Sequence, residues 1–147
     1  MEPLDPATLP KNALLLIDSA PIIYWLEGHA TLAPVFRPLF EAHAAHALRF
    51  AVTTLTLAEV LTGPLRTADE ALARRYRAVL ESWQVIDLDR DIAESAARLR
   101  ATLRLKLADA VQAASALAIN AAALVTHDRD FSRLKSLLVL PKASRTD

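Results

Sequence analysis

The chain has 147 residues, 53% hydrophobic and 23% charged, enough apolar material for one packed core and the reverse of a disordered composition. Basic and acidic residues number 17 each, so the net charge is formally zero and bulk charge alone gives no attraction to nucleic acid. Two glycines, Gly28 and Gly63, cannot build a Walker A loop or a dinucleotide fingerprint, and the lack of cysteine excludes disulfides, a thiol nucleophile and cysteine-held zinc.

Residues 1–12 carry three prolines and read as an extended tail; MEPLDPATLPKN lacks the basic-then-apolar order of a signal peptide. The run ALLLI at 13–17 has the pattern of a strand buried on both faces. Asp18 and Ser19 follow, and Pro21 marks the first turn of a helix reaching about Glu27, with Ser19 as a possible N-cap. A second helix is expected over 34–46, a second strand over 50–53, and a short helix over 55–61 stopped by Gly63 and Pro64. Residues 68–83 read as a long amphipathic helix, 85–88 as a third strand and 91–103 as a helix with acids in its first turn. An alanine-rich, buried helix is expected over 107–120, then a fourth strand at 123–126, a helical turn or two at 128–134 and a fifth strand at 137–140. These elements make one domain over 13–141, with 142–147 as a C-terminal tail. No apolar run approaches the roughly 18 residues needed to span a bilayer. A soluble, cytoplasmic protein is expected.

Short apolar strands alternating with helices imply an α/β fold, a parallel sheet with helices on both faces. Such sheets bind ligands outside the carboxyl ends of their strands. Asp18 lies at the end of the first strand and Asp128 just past the fourth. Two more acids keep apolar company: Glu59 in LTLAEVL and Asp109 in LADAV. Each has a structural reading, as a cap, a solvated group or a first-turn acid favoured by the helix dipole. Together they suggest another role, because clustered carboxylates repel and a hard divalent cation such as Mg²⁺ or Mn²⁺ relieves that repulsion.

The segments LLLIDSAPIIYWLEG, TTLTLAEVL, LKLADAVQAASAL and ALVTHDRDF resemble, in order and spacing, the four motifs of PIN-domain ribonucleases, particularly the VapC-type toxins of bacterial toxin–antitoxin pairs. The resemblance runs from about residue 14 to 140. It implies a three-layer PIN-like fold, a five-stranded parallel sheet between helices. Asp18, Glu59, Asp109 and Asp128 fall on the family's acidic quartet, which holds the metal; Ser19 and Thr126 fall on supporting polar positions, and Asp130 is a lesser candidate in the last motif. The activity implied is Mg²⁺-dependent endoribonuclease, with Mn²⁺ able to substitute, acting as a toxin with RNA as substrate, a small antitoxin as partner and a homodimer as the assembly. Two departures stand out: a proline-rich segment precedes the first acid, and His127 occupies a place that is often Asn.

Arg98, Arg100, Arg104 and Lys106 lie just ahead of Asp109 and are candidates for the RNA backbone, or a solvated helix face. His43 and His46 read as surface histidines rather than a zinc site, and Tyr24, Trp25 and Trp83 as core or interface anchors. A receiver domain and a haloacid-dehalogenase-type phosphatase also place Asp after the first strand. The former wants a further acid pair early, and the latter a second Asp two residues on, where this chain has Ala20. Two other readings remain: an RNA-processing nuclease without antitoxin, and a catalytically silent binding module.

Overall fold

Side chains along a strand alternate between the two faces of a sheet, and a sheet covered on both sides therefore needs apolar residues at every position. The computed structural model, which describes residues 1–128, 131 and 133–142, bears this out in the strand β1 (Ala13–Ile17). Ala13, Leu15 and Ile17 pack into one core and Leu16 into the opposite one. The chain continues as α1 (Ser19–Glu27), α2 (Ala33–Ala44), β2 (Leu48–Thr53), α3 (Thr54–Arg66), α4 (Glu70–Glu81), β3 (Gln84–Ile86), α5 (Arg90–Leu103), α6 (Leu107–Ala118), β4 (Ala123–Val125) and β5 (Val139–Leu140). The sheet order is β3-β2-β1-β4-β5 and every pair is parallel.

This order decides where a ligand can sit. The chain moves outward from β1 to β2 and β3, then crosses back to β4 and β5 on the other side. The connections after β1 and β4 therefore diverge, leaving a crevice at their carboxyl ends. Register brings the two ends level: Ile17 pairs with Val125, and the Asp18 N–H donates to the Val125 carbonyl at 2.8 Å.

The larger core lies against α1, α2 and α4, where Phe36, Leu39, Ile22 and Leu80 meet the sheet. Trp25, Phe40, Phe50 and Trp83 form an aromatic cluster there, with Trp25 stacked on Phe40 at 4.2 Å between ring centres. His43 joins it, stacked on Phe50. The other face is covered by α5 and α6, whose alanines at 110, 113, 114 and 116 let the helix lie close to its neighbours.

Several local expectations are corrected. Gly63 and Pro64 do not stop the helix after β2, which runs to Arg66. Pro64 sits in its last turn and so removes one backbone bond near the end, where little helix remains to be lost. Asp18, not Ser19, caps α1: its carboxylate accepts from the Ser19 N–H at 2.8 Å, and Ser19 is the first helical residue. The segment 1–12 is docked rather than extended, with a 3₁₀ turn at Pro6–Thr8, a Leu4 N–H bonded to the Val35 carbonyl, and Leu4 and Leu9 against the core. The expected turns at 128–134 and the tail at 142–147 lie partly outside the described residues. Among the described residues no helix is long and apolar enough to cross a membrane.

Candidate active site

A cleft of about 330 Å³ opens at the carboxyl ends of the strands, lined by Asp18, Ser19, Ala20, Glu59, Ala108, Asp109, His127 and Asp128. All four acids singled out in the sequence reach it. A second groove, about 310 Å³, lies at the opposite ends of the strands beside His43, His46, Arg49 and Trp83, and no carboxylate lines it. Carboxylate chemistry belongs to the first.

Asp18 is the most constrained of the four. One carboxylate oxygen accepts from the Ser19 N–H and from Gln112 Nε2 at 2.9 Å; the other accepts from the Thr126 hydroxyl at 2.8 Å. Thr126 in turn accepts from the Asp128 N–H at 3.0 Å, so the turn after β4 is tied to the end of β1. Glu59 stands exposed on α3, where it accepts from the Ser19 hydroxyl at 2.9 Å.

Asp109 differs in kind. It lies in the first turn of α6, 8% exposed, and its Oδ2 is buried with no hydrogen-bond partner among the described residues. Burial first, then a hydrogen bond with Asp128 and the charges of Asp128 and Asp18, push its carboxyl up to about 7, with Lys106 opposing. The consequence for stability has a definite sign. Folding favours the protonated carboxyl, so this group's contribution is complete below the unfolded value near 3.8 and is lost as pH rises towards about 7. In metal-free buffer the melting temperature of wild type relative to Asp109→Asn should therefore fall across that window. A difference that stays flat with pH would show that Asp109 titrates normally.

Gln112, Thr53 and Thr56 were not among the residues singled out from the sequence. Gln112 is 1% exposed, accepts from the Thr53 hydroxyl at 2.7 Å and donates to Thr56 and Asp18. A signal was present: a lone amide three residues after Asp109, hence on the same helix face, in an otherwise apolar stretch. His127 also enters the site, its Nδ1 hydrogen-bonded to the Tyr24 hydroxyl at 2.8 Å. Tyr24 is packed against the larger core, as expected of an anchor, and its hydroxyl also meets this cleft residue.

The basic residues divide. Lys106 precedes α6 and its charge reaches Asp109. Arg98 is exposed and pairs with Glu94 one turn back at 3.1 Å. Arg100 Nε reaches the Leu105 carbonyl at 3.4 Å, and Arg104 ends α5 in a left-handed conformation. Asp130 lies outside the described residues. His43 is held below the usual imidazole value by burial and then by His46.

Asp109, whose buried Oδ2 is unpartnered among the described residues, lines the same cleft as three further carboxylates, and carboxylate oxygens are the donor type that suits a hard divalent cation. Among the described residues no group of three or more His, Asp or Glu side chains forms a ready metal site.

The PIN domain family profile matches residues 15–137. No curated protein matches the chain significantly in sequence. Among solved structures, a toxin–antitoxin complex from Klebsiella pneumoniae is similar at 26% identity and TM-score 0.67, over 84% of this chain and 95% of that one. VapBC2 from Rickettsia felis, bound to a DNA fragment from its promoter, gives 20% identity and TM-score 0.68 over 86% and 96%. The sarcin-ricin-loop-cleaving toxin VapC20 from Mycobacterium tuberculosis gives 18% and 0.63 over 81% and 93%.

Proposed function

Since the chain belongs to the PIN domain family, we propose that it is a metal-dependent endoribonuclease acting as the toxin of a toxin–antitoxin pair. The observation that carries this reading is the convergence of Asp18, Glu59, Asp109 and Asp128 on one cleft at the switch point of the sheet, with one buried oxygen unpartnered. The toxin role and the small antitoxin partner are supported by the likeness to the Klebsiella complex.

The four carboxylates would hold Mg²⁺, or Mn²⁺ in its place. When bound, the cation supplies an activated water and stabilises charge on the phosphoryl and leaving oxygens. The chain's own residues set the rest. Thr126 and Gln112 fix both oxygens of Asp18, and Ser19 orients Glu59 towards the same space. Such partners of ligating groups hold geometry and tune affinity. Lys106, with Arg98, Arg100 and Arg104 behind it, draws the RNA backbone to an otherwise negative mouth.

The test is cleavage of a fluorescent single-stranded RNA by purified protein. Cleavage should occur in Mg²⁺ or Mn²⁺, stop on adding EDTA and resume with excess cation. Cleavage that continues in chelator would overturn the metal dependence. Expression of the chain alone should arrest growth and its small partner should relieve the arrest; normal growth with abundant soluble protein would overturn the toxin role.

A further inference from the structure

Thr126 holds Asp18 and Asp128 lines the cleft; His127 sits between them in sequence and lines the same cleft. Its ring is not loose. Tyr24 lies edge-on to it at 5.3 Å between ring centres and hydrogen-bonds Nδ1 at 2.8 Å. Tyr24 is itself packed by Phe36, stacked at 6.3 Å, and by His29, edge-on at 5.1 Å. When the phenol hydroxyl donates to Nδ1, Nε2 carries an N–H. Nδ1 and Nε2 lie on different edges of the ring. A ring tied by Nδ1 to Tyr24 and lining the cleft therefore keeps Nε2–H as its remaining donor.

We infer that His127 is an RNA contact, donating from Nε2 to a phosphate oxygen of the strand beside the carboxylates, with Tyr24 as its positioning residue. The inference rests on the nuclease reading above. Contacts to phosphate fix register rather than base sequence.

The experiment uses the full chain and one fluorescent single-stranded RNA. Binding is measured by anisotropy with Ca²⁺ replacing Mg²⁺, and cleavage kinetics in Mg²⁺, for wild type and four variants. His127→Ala should raise Kd and KM about 10- to 100-fold, the range of a hydrogen bond to a charged group, with kcat little changed. His127→Gln, whose amide nitrogen reaches the place of Nε2, should recover most of the affinity. His127→Asn, whose amide reaches only the place of Nδ1, should not. Tyr24→Phe should raise KM by less than His127→Ala.

A purely structural tie between α1 and β4 predicts otherwise: lower melting temperatures in Tyr24→Phe and His127→Ala, with Kd and KM unmoved. That result overturns the inference, as does equal rescue by Asn and Gln. Wild-type protein that binds RNA without cutting it overturns the nuclease reading alone, and Kd still decides the role of His127. Wild-type protein that binds no RNA overturns both.

Discussion

Asp18→Asn is expected to reduce RNA cleavage by at least about a hundredfold at saturating Mg²⁺, because it removes the carboxylate that the surrounding donors hold most firmly. Its stability cost should be small by comparison. Asn keeps one acceptor oxygen for the Ser19 N–H and Gln112, and its amide can face Thr126, whose hydroxyl can turn to accept. Glu59→Gln makes the useful contrast. Glu59 is exposed and accepts from the Ser19 hydroxyl, a bond the Gln carbonyl oxygen can still make. Its cleavage should fall without any loss of stability in EDTA, since one of several like charges has gone. Cation binding stabilises the native state by RT ln(1 + [M]/Kd), about 2.7 kcal/mol at a hundredfold excess over Kd. Melting curves in EDTA and in Mn²⁺ should show that gain in wild type and much less of it in both variants. A Glu59→Gln protein destabilised in EDTA yet still shifted normally by Mn²⁺ would remove Glu59 from the metal site.

The largest stability effect is expected at Gln112. Gln112→Ala should cost about 2–4 kcal/mol, combining a cavity in a buried helix face with hydrogen-bond partners left unmatched. For a chain of this size the melting temperature should drop by roughly 5–15 °C. Gln112→Glu is nearly the same shape and should be worse. It replaces the amide that donates to Asp18 at 2.9 Å with a second carboxylate, in a place from which charge cannot reach water. Equal stability of Gln112→Glu and wild type by thermal denaturation at neutral pH would show that the amide's donor role is unimportant. Cleavage should fall in both variants, since Asp18 loses the group that fixes one of its oxygens.

Much of this was legible in sequence because the signals are local. A run such as ALLLI has the pattern of a strand covered on both faces, and five short strand-like runs separated by helical segments imply a parallel sheet. The acids at 18 and 128 follow strands directly, so parallel topology alone puts them at one edge. Boundaries were less legible. The helix after β2 continued through Gly63 and Pro64 because a proline near a helix end forfeits only one bond. The N-terminal segment docked because Leu4 and Leu9 found a core to pack on, which composition does not reveal.

By itself, then, the amino-acid order determined the α/β architecture, the sheet of five parallel strands and the short list of carboxylates worth watching. Only the tertiary structure decided how those carboxylates are held. Glu59 meets a hydroxyl 40 residues away, Asp18 an amide 94 residues away, and His127 a phenol 103 residues away. Periodicity and capping describe neighbours along the chain, whereas a hydrogen bond is made or lost over tenths of an ångström between groups that packing brings together. The same reason explains Asp109. Its place in a first helical turn is readable from sequence, but its raised pKa depends on burial and on Asp128 and Asp18, which arrive from the ends of other strands.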